Sequence, residues 1–244
     1  MMELGSNTVL VTGGASGIGL GIAKEFIRAG SVVIICGRRE EKLREAKEQC
    51  PQLHTYMANV ETPEGRVKLR DWMLANFPNL NIVVNNAGIQ RRLQLSEQES
   101  WENTAQEIAI NFEAPVHVSQ LFVPHLQKQA HAAIINITSG LAFAPMSRMP
   151  VYCATKAALH SFTMSLRHQL AATSVKVLEI IPPAVNTDLG GPGLHTFGVP
   201  VDKFVSSVMS RIAAGELEVG FETSENSRRA SREQLDQAFL RMNS

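Results

Sequence analysis

The sequence predicts a doubly wound α/β fold: one parallel sheet of about seven strands with helices on both faces, in a single domain. Three observations carry that reading. Short apolar runs alternate with helix-period segments from Thr8 onward, the order a parallel sheet requires. The runs themselves, 31–36 among them, are apolar at nearly every position, as strands covered on both sides are. Lastly, 244 residues with 44% hydrophobic and 19% charged side chains suit one large core rather than a disordered or fibrous chain.

The first strand, 8–11, ends in Thr12-Gly13-Gly14-Ala15-Ser16-Gly17-Ile18-Gly19, and a helix carrying Ile18, Ile22, Phe26 and Ile27 runs to about Gly30. Glycines between a strand and a helix let the backbone turn tightly and approach a pyrophosphate, whose charge meets free N–H groups at the helix start. The spacing is Gly-x-x-x-Gly-x-Gly rather than Gly-x-Gly-x-x-Gly, so the loop alone reads equally well as a tight structural turn. The second strand, 31–36, is followed by Gly37-Arg38-Arg39. An acid here would hold a ribose 2′-hydroxyl, yet none lies between Gly30 and Arg39, and Glu40 already opens the next helix. Arg38, with Arg39 in reserve, suits the 2′-phosphate of NADP(H), because a guanidinium matches phosphate bidentately. The competing reading is two solvated arginines.

A charged surface helix, 40–49, precedes a short strand, 55–60. Thr62-Pro63 then opens a helix with a cap and a proline in its first turn; this helix ends near Pro78. The fourth strand, 81–84, leads into Asn85-Asn86-Ala87-Gly88. Ser96-x-x-Glu99 is a capping-box candidate. A longer helix, 110–128, contains Pro115, which is expected to bend or break it. The fifth strand, 132–138, is followed by a loop with Ser139 and a helix over 152–171 that opens with Tyr152 and Lys156. Four apart, those side chains share one helix face, and an ammonium beside a phenol favours the phenolate by charge. The sixth strand, 175–181, runs into Pro182-Pro183-Ala184-Val185-Asn186-Thr187. Residues 188–200, rich in glycine and proline, read as a flap. A helix at 204–212, a strand at 218–221 and an amphipathic helix at 231–242 complete the chain.

Several classes are excluded. Lysine plus arginine and aspartate plus glutamate both number 23, which argues against a nucleic-acid or anionic-membrane binder. No apolar run approaches the roughly 18 residues of a membrane span, and the N-terminus lacks a secretory signal. Cys36, Cys50 and Cys153 show no metal-ligand spacing, so no metal site is expected, and they fit a reducing, cytoplasmic setting.

Together these motifs resemble the short-chain dehydrogenase/reductase family, of Rossmann type, over nearly the whole chain. The glycine motif Thr12-Gly13-x-x-x-Gly17-Ile18-Gly19 and Asn85-Asn86-Ala87-Gly88 match the family, and Asn111, Ser139, Tyr152 and Lys156 match its catalytic tetrad in order. Within the family, the runs INFEAP and YCATKAALHSFTMSLR resemble the oxidoreductases named for the D-alanyl-lipoteichoic acid gene cluster. The resemblance implies that Tyr152 exchanges the proton and Ser139 places the substrate oxygen. Lys156 would hold the nicotinamide ribose and Asn111 a relay water. It also implies an NADP(H) site made by Gly13, Ser16, Gly17, Ile18, Gly19, Arg38, Arg39, Asn59, Val60, Asn86, Ala87, Gly88, Tyr152, Lys156, Pro182, Val185 and Thr187.

Two departures stand out. Asn59 occupies the place of a usual aspartate toward adenine, and Pro182-Pro183 replaces Pro-Gly, with Pro183 lacking the N–H and φ freedom of glycine. The expected activity is hydride transfer between NADP(H) and a modest-sized carbonyl compound or secondary alcohol. Alternatives are a non-catalytic NADP(H)-binding sensor or scaffold, which Pro183 favours, and dehydration or epimerisation in the same fold. The pocket mouth is expected from 90–93, 141–149, 185–189 and the flap near Phe197. It would offer apolar Phe143, Met146 and Met149, and Arg91, Arg92 and Arg148 as either anion contacts or surface charge. Similar proteins pair through the helices after the fourth and fifth strands. Phe112, Val116, Leu159, Phe162 and Leu166 there imply a homodimer or homotetramer.

Overall fold

In the computed structural model, which describes residues 2–97 and 100–244, seven strands form a single sheet. They are β1 (Thr8–Thr12), β2 (Val32–Gly37), β3 (His54–Met57), β4 (Ile82–Asn85), β5 (Ala132–Ile137), β6 (Val175–Ile181) and β7 (Glu218–Gly220). Their order is β3-β2-β1-β4-β5-β6-β7, and every pairing is parallel. The order reverses between β1 and β4, which opens a crevice at the carboxyl ends of the strands where ligands of such sheets bind.

Alternation along the strands divides the core in two. Val9 and Val11 face one side with Ile22 and Phe26 of α1 (Gly17–Arg28), Leu43 of α2 (Glu40–Gln49) and Phe204 of α7 (Val201–Ala213). Leu10 faces the other side, with Leu69 and Met73 of α3 (Pro63–Asn76), Val118 and Phe122 of α5 (Ala114–Leu126) and Leu166 of α6 (Pro150–Gln169). Both faces of the sheet are thereby covered, which is why its strands read as continuous apolar runs. No helix among the described residues is long and apolar enough to cross a membrane.

Local chemistry sets the helix ends. The Thr62 hydroxyl accepts the Gly65 N–H at 3.1 Å with Pro63 in the first turn. Ser231 and Gln234 form a reciprocal capping box at α9 (Arg232–Asn243). Elsewhere the elements depart from expectation. β3 stops at Met57 rather than residue 60: it is a largely exposed edge strand, and after Ala58 donates to Gly37 the chain turns away. α4 (Trp101–Ile108) starts after Ser100, whose hydroxyl accepts the Glu102 N–H, and not at Ser96. Glu99 of the expected capping box lies outside the described residues.

Pro115 neither breaks nor ends the long helix. A π-turn, Ala109–Glu113, joins α4 to α5 just before it, and the widened turn accommodates the proline's missing N–H and bulky ring. α6 begins at Pro150, two residues earlier than expected, with that proline in its first turn. A further helix, α8 (Thr223–Arg229), has no apolar stripe to announce it. Its Glu225 carboxylate instead gathers Arg211, Arg228, Arg229 and the Gly220 N–H.

A buried amide chain ties β4, β5 and α6 behind the crevice. Asn85 donates to Asn136 and Asn136 to Thr163, each at 2.8 Å. Asn136→Leu would leave the Asn85 amide only its 3.4 Å bond to Ser119, and would leave the Thr163 hydroxyl donating to the Leu159 carbonyl but accepting nothing from Asn136. It is expected to cost about 2 kcal/mol of unfolding free energy, measured by urea denaturation; a neutral effect would show that the network is dispensable.

Candidate active site

The crevice is floored by the glycine loop. Gly13 and Gly17 have φ of +64° and +53°, in the left-handed region that favours glycine. A Cβ on Gly13 would stand 2.8 Å from the Ala87 Cα, and one on Gly19 would stand 2.3 Å from the Asn86 Nδ2. That closeness lets Asn86 donate to the Thr12 and Gly13 carbonyls, both at 3.0 Å. Thr12, to which the sequence assigned no role of its own, accepts the Asn86 and Ala87 N–H groups on its hydroxyl and so locks β4 to the loop. Ser16 is the exposed N-cap of α1 and its side chain makes no capping bond, while the half-buried Ile18 follows in the first turn.

The stretch after β6 closes the loop from the other side. The Cβ position of Gly17 is 3.2 Å from the Thr187 Cγ2. Val185 is buried and bridges Val199, and the Asn186 N–H donates to Val199 at 2.8 Å. The Pro182 carbonyl accepts the Gly140 N–H at 2.9 Å. At the opposite end of the crevice Arg38 is half-exposed and paired with Glu61 at 2.8 Å. Asn59 accepts the Glu61 N–H, the Val60 carbonyl accepts from the buried Arg66, and Arg39 is exposed as the N-cap of α2.

The four tetrad candidates converge at the end of β5. Tyr152, in the first turn of α6, and Lys156, one turn later, are 5% and 4% exposed. The Lys156 Nζ donates to the Ile137 carbonyl at 2.8 Å and lies 5.7 Å from the Tyr152 ring centroid. The Ser139 hydroxyl accepts the Leu141 N–H, capping a 3₁₀ turn at Gly140–Ala142. Asn111 sits in the π-turn, where its carbonyl accepts the Ile89 N–H at 2.9 Å and its amide donates to Ile89 and Thr155. Gly88 fills the gap: a Cβ there would meet Asn111 Oδ1 at 3.4 Å and Lys156 Nζ at 3.7 Å.

Electrostatics here differ from the simple expectation. Burial pushes the Tyr152 phenol well above its usual pKa, against the downward pull of the Ser139 hydroxyl, and Cys153 and Glu107 add to the rise. Burial also pushes Lys156 down to about 8. Desolvation thus outweighs the phenolate-favouring charge expected of Lys156. Glu107, one turn before Asn111 on the same helical run, is a further buried carboxyl, 2% exposed. Its pKa is raised by burial, and it accepts the Arg91 N–H at 3.1 Å. Only its four-residue spacing from Asn111 signals it in the sequence.

Of the expected pocket mouth, Leu93 donates to the Arg148 carbonyl, and Gly190 of the flap lies against the Gln90 carbonyl. Phe143 is half-buried against His160, whereas Phe197 is 79% exposed. Arg91 donates to the Asn103 carbonyl and the Gln106 side chain, and Arg148 to the Met146 sulfur. Asn243 of α9 reaches this rim unannounced, bonding Pro145 and Ser147.

A family profile described as short chain dehydrogenase matches residues 7–194. The chain is 47% identical to the uncharacterized oxidoreductase DltE of Bacillus subtilis (strain 168), over 99% of this chain and 98% of that one. It is 35% identical, over 72% of each, to the NADP-dependent 3-hydroxy acid dehydrogenase YdfG of Escherichia coli (strain K12). A short chain dehydrogenase from Burkholderia cenocepacia J2315, solved in complex with NADP, superposes with a TM-score of 0.84 at 23% identity, over 98% of this chain and 99% of that one.

The Lys156 shift has a stability consequence. Its pKa falls from 10.5 to about 8 on folding, so between those values the unfolded chain binds more protons and this site's contribution to stability rises with pH. The unfolding free energy of wild type relative to Lys156→Met is expected to grow from about pH 8 to about pH 10. A gap that stays constant across urea titrations would contradict the burial argument.

Proposed function

The chain belongs to the short-chain dehydrogenase/reductase family, and on that premise we propose that it is an NADP(H)-dependent carbonyl reductase or alcohol dehydrogenase. The observation that carries this reading is the convergence of buried Tyr152 and Lys156 with Ser139 and Asn111 beside a glycine loop. The loop fits a dinucleotide: it is narrowed to glycine where it meets Asn86 and Ala87, and Ser16 leaves the N–H groups of α1 free of a side-chain cap. Gly13, Ser16, Gly17, Ile18 and Gly19 would hold the pyrophosphate, and Asn59 and Val60 the adenine. Asn86, Ala87 and Gly88 would line the floor, while Pro182, Val185 and Thr187 would flank the nicotinamide. Arg38, with Arg39, would meet the 2′-phosphate, drawing Arg38 away from Glu61. When bound, the cofactor supplies or accepts the hydride.

The side chains handle the proton. Tyr152 donates its hydroxyl proton to the substrate oxygen as negative charge develops there. The phenol, its pKa raised by burial, is protonated through neutral pH, the form that donation to the substrate oxygen requires. Ser139 places that oxygen. Lys156 offers donors to the ribose hydroxyls. Asn111 spends its amide on Ile89 and Thr155 and one lone pair of its carbonyl on the Ile89 N–H, leaving the other for a relay water.

The flap's seat on Gln90 favours a modest-sized carbonyl compound or secondary alcohol. The protein is read as cytoplasmic and as a homodimer or homotetramer. Leu159 and Leu166 are buried within the chain itself, so pairing would draw on Phe112, Phe162 and the exposed Met164 and Trp101.

Turnover of aldehydes, ketones and secondary alcohols with each cofactor tests the activity; folded, cofactor-bound protein that turns over none of them would sink it. Tyr152→Phe is expected to lower kcat by about 100-fold or more while cofactor affinity holds within about twofold. Arg38→Ala is expected to weaken NADPH by about 10- to 100-fold and NADH far less. Equal losses in fluorescence titrations would refute the phosphate contact.

A further inference from the structure

Glu179 of β6 is 0% exposed and lies beside the end of β5. A carboxylate so placed needs its charge answered by the protein. The Thr138 hydroxyl donates to its Oε1 at 2.6 Å, and the His160 Nδ1 lies 2.9 Å from both its oxygens. The imidazole side chain is 23% exposed, so its proton can equilibrate with water.

Both ends of the Ser139 turn rest on this pair. Thr138 immediately precedes the serine. Phe143 immediately follows the 3₁₀ turn that Ser139 caps, and its ring packs on His160 with centroids 4.8 Å apart. His160 also lies one turn beyond Lys156 on α6, so the pair joins β5, β6 and α6 at the point where the tetrad candidates meet.

We propose that Glu179 and His160 are positioning residues for Ser139, holding its turn at both ends while His160 is protonated and loosening it when that proton leaves. The proposal rests on reading Ser139 as the residue that places the substrate oxygen. Charge around the pair sets the window. The bond to Glu179 raises the His160 pKa above 6.5 against the opposing effect of burial; Glu218 of β7 adds to the rise and Arg167 of α6 opposes it. A group raised in this way gives its full hold below its unfolded pKa and loses it as pH climbs through the folded value.

Amide exchange in the full-length chain, expressed as protection relative to the intrinsic rate at each pH, reads the turn at Gly140 and Leu141. Their N–H groups bond Pro182 and Ser139. Wild-type protection there is expected to fall about tenfold between pH 6 and pH 9. His160→Gln is expected to show the low value at both pH values. His160→Arg, a permanent cation, is expected to show the high value at both. Glu179→Gln is expected to return the His160 NMR titration toward 6.5. Wild-type protection in His160→Gln, or a pH-dependent fall that persists in His160→Arg, overturns the proposal.

NADPH-driven turnover then separates this inference from the reaction assigned above. Loosened amides with an unchanged kcat in His160→Gln would overturn the positioning role. Loosened amides in a chain that reduces no carbonyl would overturn the reductase reading and leave the hold on the turn standing.

Discussion

An ammonium kept from water governs this crevice. Lys156 is 4% exposed, and its contact with the Ile137 carbonyl anchors α6 to the end of β5. An ammonium has three donors, and Ile137 accepts one of them. Burial weakens the hold on its proton until the amine titrates near 8, so the side chain is poised between its two forms close to neutrality. The same burial acts on Tyr152 in the opposite sense and holds the phenol's proton. One desolvated pocket thus sets a phenol that keeps its proton beside an ammonium that readily yields one, two groups a single helical turn apart.

Why that pocket lies where it does follows from the sheet. Parallel strands end together, so the residues after β1, β4, β5 and β6 meet at one rim. Thr12 and Asn86 lock the first two of these ends to each other, and the Gly140–Pro182 bond locks the other two. Asn111 spans the gap from the helical side by gripping Ile89 and Thr155. The site is therefore a property of strand termini held in register, and the amides of Asn85 and Asn136 behind it fix that register in the buried layer.

Much of this was legible because it rests on local rules. Gly13 and Gly17 need a left-handed backbone, Gly19 needs the absence of a Cβ, and Tyr152 and Lys156 need only helical spacing. What depends on distant partners was not. Pro115 reads as a helix breaker, yet the π-turn before it, where Asn111 sits, carries the helix through without a break. α8 is held by charge around Glu225, so no apolar period marks it. Leu159 and Leu166 read as surplus apolar surface, yet the chain buries them itself. Arg38 reads as a free phosphate ligand, and its pairing with Glu61 depends on a residue that no strand-end rule selects.

Pro183 shows how such a departure resolves in three dimensions. Glycine at this position would offer an N–H and a wide choice of φ, and proline removes both. The backbone around it makes its bonds without either. Gly140 donates to the carbonyl of Pro182, the Ser224 hydroxyl donates to Ile181, and Val199 donates to Ala184. Each of these contacts uses an acceptor on the 181–184 segment, so losing a donor at 183 leaves the strand end anchored on both sides. With φ fixed, the segment is stiffer where it passes toward Val185 and Thr187. A rigid approach to the side of the crevice proposed for the nicotinamide would suit catalysis, because orientation works best when little remains to be ordered.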